Sequence, residues 1–245
     1  MPRHGIFVEN RLRHLLASGA VTAQVIAPVP WFPSTNPRFG EYADYAKVPR
    51  HELRYKITVD HPRYPLFPKV GMIFSPLLLA LAMRPVISRL LQRGEKFDVI
   101  DAHYFYPDGV AAILLGRWFN MPVVITARGT DLNLIPKYTL PRKLIQWAAA
   151  RAAGMITVCQ ALKDVLVELG VPEQRVTVLR NGVDLQQFKP PLERIALRER
   201  LQSHLYALLA AADLDANSRL ELPVELPEPR FNLVGSGLIA EIRDA

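Results

Sequence analysis

The sequence predicts an α/β protein: a parallel sheet with helices on both faces. Two short, apolar, β-branched runs carry that reading, residues 97–102 (FDVIDA) and 123–127 (VVITA), both of the kind that form buried strands. Between them residues 108–119 place Val110, Ile113, Leu114 and Trp118 at helical spacing, which makes a strand–helix–strand unit of parallel type. The same alternation then continues to about residue 180: helix 141–153, strand 154–158, helix 160–169 ended by Gly170, and strand 175–179.

The N-terminal part follows from its own patterns. Residues 5–18 predict a helix, because Val8, Leu12, Leu15 and Leu16 share one face while Arg11, Arg13 and His14 point elsewhere, and Gly19 stops it. Residues 21–29 predict a strand. A doubly wound sheet normally begins with a strand that feeds its first helix through a glycine-containing turn. Only Met1-Pro2-Arg3-His4 precede the helix, so the sheet is expected to lack its first strand. Ten of the 21 prolines fall between Pro28 and Pro85, which leaves room for one strand over 52–59 and one helix over 72–91. Residues 31–50 are expected to form a long surface loop. Its Trp31, Phe32, Phe39, Tyr42 and Tyr45 lie among Arg38, Lys47 and Arg50, a pattern that suits a nucleic acid, a sugar or a lipid headgroup, and equally a loop pinned by its own rings. No nucleic-acid partner is assigned to it.

Asn181-Gly182 predicts a turn that tolerates positive φ, and Phe188-Lys189-Pro190-Pro191 reads as the exit from a domain spanning residues 1–190. Beyond it, 192–216 suits one or two helices, 230–234 a strand and 238–243 a helical turn or two. These pieces are too few to close a second core, so 191–245 is read as an incomplete C-terminal piece.

Composition bounds the partners. Half of the 245 residues are apolar, enough for a large core, and 30 basic against 23 acidic side chains give +7, which favours anionic partners without choosing among them. The single cysteine, Cys159, excludes an intramolecular disulfide and a cysteine zinc site and fits a reducing cytoplasm. The N-terminus shows no signal-peptide pattern. In the greasiest run, 72–83, Ser75-Pro76 interrupt and Arg84-Pro85 close the sequence short of the ~18 apolar residues a membrane span needs, so no span is expected. With Lys69, Arg84, Arg89 and Arg93 around it, this segment suits lying against an anionic membrane, or packing on the sheet.

The chemistry is expected at the carboxyl ends of the two central strands, where open α/β sheets bind ligands: His103, Asp108, Arg128, Thr130 and Asp131. His103 is placed to meet a hydroxyl or phosphate, or to be satisfied by neighbouring backbone. Arg128 suits a phosphate or carboxylate, or an ion pair with Asp131 or Asp108, while Thr130 and Asp131 also suit the cap of a helix beginning near Leu132. Gly235-Ser236-Gly237 matches the phosphate-cradling turn of dinucleotide enzymes. That turn needs an acidic residue roughly twenty positions on, and the sequence given stops at Ala245, so a dinucleotide oxidoreductase is a distant alternative. There is no P-loop, no G-x-S-x-G elbow and no HExxH, and the six histidines lack ligand spacing, so neither a cofactor nor a metal is expected.

Five segments in order, HGIFVENRLRHL, DAHYFYPDGVAA, TARGTDLN, ITVCQALKDVL and VLRNGVDLQQFKP, resemble the family 4 (group 1) retaining glycosyltransferases of GT-B fold over residues 4–191, the NGVD-x-x-x-F exit being the most diagnostic. The resemblance implies a Rossmann-like acceptor domain facing a nucleotide-sugar domain across a cleft, and transfer with retention to a glycan, glycolipid or lipid-linked acceptor without a metal. It implies that His103 is the cleft histidine near the transferred sugar. Arg128, Gly129, Thr130 and Asp131 would line the acceptor side, with Asp108 beside them and Gly5 in the region of the first glycine loop. Asn181, Gly182 and Asp184 would form the interdomain turn. The family's donor domain also carries an Arg, a Lys and a Glu-x7-Glu element that hold the nucleotide-sugar. No two glutamates after residue 191 have that spacing. The sequence therefore reads as a glycosyltransferase or a truncated fragment of one, expected in the cytoplasm, with a peripheral position at the inner membrane face also open. The alternative is a non-catalytic acceptor-binding or partner domain.

Overall fold

A computed structural model describes residues 6–65 and 71–182, with the short pieces 198–199, 202–203, 213–214 and 220–221 beyond them. Helix α1 (Ile6–Ala17) ends where Gly19 turns back at φ 69°, its N–H donating to the Leu16 carbonyl. Val8, Leu12 and Leu16 are partly buried, whereas Leu15 is exposed. Arg11 departs from expectation: it is part-buried and reaches Thr126, 115 residues away.

The strand expected over 21–29 is instead two short pieces, β1 (Val25–Ile26) and β2 (Val29–Pro30). They pair in parallel with β4 (Ile57–Asp60) and β5 (Arg63–Tyr64), Val25 facing Val59 and Val29 facing Arg63. The hydrogen bonds run through the gap: the amides of Ala27, Val29 and Trp31 donate to the carbonyls of Asp60, Pro62 and Tyr64. Pro28 and Pro30 fall on the alternate positions, where the missing N–H costs that pairing nothing and leaves the opposite edge without donors at those two residues.

The stretch expected to be loop, 31–50, holds helix α2 (Glu41–Lys47). Its rings pack on one another, with Phe32–Phe39 at 5.2 Å, Phe32–Tyr42 at 5.4 Å and Tyr42–Tyr45 at 6.1 Å between centroids. The strand expected over 52–59 is a hairpin of β3 (His51–Arg54) with β4, Arg54 facing Ile57. Its two turn residues, Tyr55 and Lys56, both have positive φ (49° and 66°), as the tight primed hairpin turn requires. Neither is the Gly or Asn that marks such a turn, so the sequence carries no signal for it. The Arg13 guanidinium lies 4.2 Å over the Tyr55 ring. Replacing Tyr55-Lys56 by Asn-Gly is expected to stabilise the protein by about 1 kcal/mol, less what the Arg13 contact supplied. A urea midpoint unchanged or lowered would count against the strain.

Helix α3 (Gly71–Gln92) is continuous through Pro76 and Pro85. Pro76 cannot donate to the carbonyl of Met72, and the Tyr106 hydroxyl donates to that carbonyl instead. By length and composition alone, Met72–Gln92 is long and apolar enough to cross a membrane, where the sequence led to the expectation of an apolar run too short for a span. In the fold its Leu79, Ala80, Met83 and Ile87 are buried against Ala111 and Leu115 of α4 (Val110–Phe119).

The second sheet is parallel throughout, in the order β6 (Ile100–His103), β7 (Val123–Ala127), β8 (Gly154–Thr157) and β9 (Val176–Val178). Helices α4, α6 (Thr139–Arg151) and α7 (Gln160–Glu168) share one apolar cluster with Ala102, Val123, Ile125, Met155 and Val176, so they cover one face. Side chains alternate along a strand. Asp101, His103 and Thr126 therefore point to the other face, where α1 lies through Arg11. Ile26 and Tyr64 of the first sheet and Ile100 of the second pack on the same α3–α4 cluster, which joins the sheets through helices; among the described residues no strand pairs between them.

The contacts divide the chain into residues 1–182 and 183–245. In the second unit β10 (Asp213–Leu214) pairs antiparallel with β11 (Leu220–Glu221), so the helix expected to run to residue 216 does not cover 213–214. Gly5, Asp184, the 188–191 exit, the 230–234 strand, the 238–243 helix and the Gly235/Gly237 turn lie outside the described residues.

Candidate functional site

The site grows from the carboxyl ends of β6 and β7, where His103 faces Thr126 across the ladder. After His103 the backbone turns sharply at Tyr104, φ 73°, whose amide still donates to the Thr126 carbonyl. After Ala127 the chain turns through Gly129, whose φ of 149° and ψ of −86° favour glycine, into the short helix α5 (Thr130–Asn133). One carboxylate joins the two turns. Asp131 is buried, 2% exposed, and accepts from the amides of Phe105 at 2.7 Å, Gly129 at 2.7 Å and Arg128 at 3.1 Å. Asp131 thus turns into the protein, and Thr130 beside it stands exposed at the head of α5.

Arg128 swings the other way. Its Nη2 donates to His103 Nδ1 at 3.0 Å and its Nη1 to Asn181 Oδ1 at 3.0 Å, while its buried Nε has no partner. The ion pair with Asp131 or Asp108 that the sequence allowed is replaced by these contacts. Because His103 Nδ1 accepts, the neutral ring carries its proton on Nε2. That nitrogen sits 3.6 Å from Asp101 Oδ2, beyond a hydrogen bond, which leaves the N–H available. Burial, then the charge of Arg128, then that of Arg11, push the His103 pKa down to about 3. The imidazole is therefore uncharged and a poor base at neutral pH.

Arg11 is the residue the sequence reading missed. Its Nη1 donates to Thr126 Oγ1 at 3.2 Å and its Nη2 lies 3.7 Å from Asp101 Oδ2. The one available signal was its position three residues after Val8 and next to Leu12, at the flank of the apolar stripe. Asp101 is raised by burial, against the pull of Arg11 and Arg128. Two guanidiniums against one carboxylate leave the cluster with surplus positive charge. Asp108 lies apart from it, raised to about 6 by burial foremost, with Asp131 adding to the rise. Tyr64 is pushed up to about 12 by burial, then by Asp108. The structure thus gathers His103, Arg128 and Asn181 with Arg11 and Asp101, and turns Asp131 inward. Gly182 follows Asn181 at the end of the first unit. Among the described residues no cluster of three His, Cys, Asp or Glu is placed to hold a metal ion.

Over 208 residues the chain is 29% identical to the putative teichuronic acid biosynthesis glycosyltransferase TuaC of Bacillus subtilis, a match covering 82% of this chain and 51% of that protein. It is 26% identical over 98 residues to the uncharacterized glycosyltransferase MJ1178 of Methanocaldococcus jannaschii, covering 40% of this chain and 27% of that one. The chain thus spans about half the length of the first of these curated relatives. Among solved structures, Anabaena Alr3699/HepE in complex with UDP aligns at 18% identity and TM-score 0.42, over 74% of this chain and 43% of that chain. The sucrose-phosphate synthase of Thermosynechococcus elongatus aligns at 12% identity and TM-score 0.48, over 77% and 46%. The profile of Glycosyltransferase Family 4 matches residues 42–187, a stretch that takes in His103, the Arg128–Asp131 turn and Asn181. Since that match spans more than half of the sequence, the chain belongs to glycosyltransferase family 4.

Proposed function

We propose that residues 6–182 form the acceptor side of a sugar-transfer cleft. The whole reaction would move a sugar from a nucleotide-sugar, with retention and without a metal, to a glycan, glycolipid or lipid-linked acceptor. The observation that carries this is His103, held uncharged at the end of β6 with its Nε2–H free and a guanidinium on its other nitrogen. A neutral imidazole N–H recognises a sugar hydroxyl without competing for its proton. The paired Arg11 and Arg128 supply positive charge where a diphosphate or an anionic acceptor develops or sits. The teichuronic acid biosynthesis in the name of TuaC supports polysaccharide biosynthesis as the setting.

A peripheral membrane contact from the cytoplasmic side fits the same reading. Ile73, Phe74, Leu77 and Leu81 form an exposed apolar stripe on α3, followed by Arg84. The second reading is an acceptor-binding domain that works with a donor half on another chain; residues 192–245 themselves hold no Glu-x7-Glu pair. The purified chain is accordingly expected to bind acceptor and to turn over no nucleotide-sugar by itself. Acceptor binding should fall by about tenfold in Arg128→Ala, the loss of a charged contact of about 1.4 kcal/mol. Steady product formation, or a thermal midpoint raised by UDP- or GDP-sugars, would show that a donor site is present within these residues. Acceptor binding indifferent to Arg128 would remove the cleft assignment.

A further inference from the structure

Away from the His103 cluster a cavity of about 360 Å³ opens between the β3–β4 hairpin, β5 and the second half of α3. Three guanidiniums line it from three separate elements: Arg50 just before β3, Arg63 in β5 and Arg89 in α3. Its carboxylate is already spent. Asp60 Oδ1 meets His51 Nδ1 at 2.5 Å, and Asp60 Oδ2 accepts from Gln24 Nε2 at 2.8 Å. Glu52, at the same hairpin, is taken by His61 at 3.1 Å and approached by Arg54.

The arginines differ in what they have left to give. Arg63 donates to the carbonyls of Tyr45 and Val48 and is committed to the fold. Burial first, and the charge of Arg50 second, depress its pKa, which places the Arg50 charge close to it. The Arg50 side chain has no hydrogen bond or ion pair among the described residues, its carbonyl alone accepting from the His61 amide, and the one the Arg89 side chain makes is from its Nε to the Pro85 carbonyl of its own helix. Both planar forks therefore remain free at one concavity, with His51 beside them and Ala82, Pro85 and Val86 as an apolar wall. Two guanidinium forks converging from different elements suit a tetrahedral group with several acceptor oxygens better than a planar carboxylate, which one fork satisfies.

We propose that this cavity is a phosphate-group site, distinct from the transfer cleft and independent of the reading given for it. The phosphate belongs either to a small soluble ligand or to the headgroup of an anionic lipid. The second source fits the apolar wall and the exposed apolar stripe on the same helix. The test is a titration of the isotope-labelled full chain with inorganic phosphate at constant ionic strength, followed by amide resonances. Saturable shifts at His51, His61, Val86 and Arg89 are expected, weakened about tenfold in Arg50→Gln/Arg89→Gln. Arg89→Gln alone, which disturbs only its own helix, should weaken binding in the same direction.

If inorganic phosphate leaves these amides unmoved, co-sedimentation with phosphatidylglycerol vesicles, lost in the double variant and absent with phosphatidylcholine, assigns the lipid source. No response in either arm overturns the proposal. So does binding that the double variant leaves unchanged, or phosphate shifts confined to Arg11, His103 and Arg128.

Discussion

Replacing Asp131 by alanine is expected to destabilise the protein by about 3–5 kcal/mol, a large share of the roughly 5–15 kcal/mol that holds a typical domain together. The carboxylate accepts from three backbone amides in two loops, and at least the Phe105 amide is buried. Without it those donors have neither a protein acceptor nor ready access to water, so each costs its desolvation rather than merely losing a bond. Asp131→Asn keeps one acceptor oxygen but turns an NH2 toward the remaining N–H groups, and should recover about half of the loss. Urea unfolding of both variants measures this. A change below about 1 kcal/mol for the alanine variant would mean that the two turns are held by something other than this carboxylate. The effect would reach the cleft as well, because the same two turns fix the direction of Arg128 and the backbone that follows His103.

The second large effect is a pH dependence. His103 has a pKa of about 3 in the folded protein, from burial and from Arg128 and Arg11, against about 6.5 in an unfolded chain. Between those values the unfolded state takes up a proton that the native state refuses. Stability from this group is therefore fully present above about pH 6.5 and is lost as pH falls toward 3. At about 1.4 kcal/mol per pH unit, and discounting for a side chain 19% exposed, lowering the pH from 7.5 to 4.5 should cost about 2 kcal/mol. The His103→Gln variant should be spared this loss. Comparing the two proteins isolates the term from carboxylates that titrate over the same range. An imidazole resonance of His103 that titrates near pH 6.5 would contradict both the linkage and the uncharged donor role.

The sequence spoke most clearly where local pattern decides structure. The β7 strand was legible residue for residue, since five consecutive apolar or β-branched residues between Pro122 and Arg128 admit little else. Helix α3 was legible despite two prolines, because its apolar stripe is longer than what they interrupt. The hairpin at Tyr55-Lys56 was hidden: its positive φ values fall on residue types that give no warning, so two short strands looked like one. Helix α2 was masked by the prolines and aromatic rings around it. At the site the residue types were visible, but their partners were not. Whether Asp131 caps its own helix or amides 26 residues back, and whether Arg11 meets solvent or Thr126, depends on tertiary packing that no local spacing encodes.

The two prolines of the first sheet have a consequence for the life of the protein in a crowded solution. An unpaired β-edge invites a neighbouring chain to add a strand, and repeated addition is a path to insoluble fibres. On β1–β2 the outward positions that would supply donors at residues 28 and 30 are both proline. Among the described residues no strand pairs with this edge, and a second copy meeting it finds carbonyls there without the alternating N–H groups that strand addition needs. The same residues that broke the strand into two short pieces thus act as a guard against self-association.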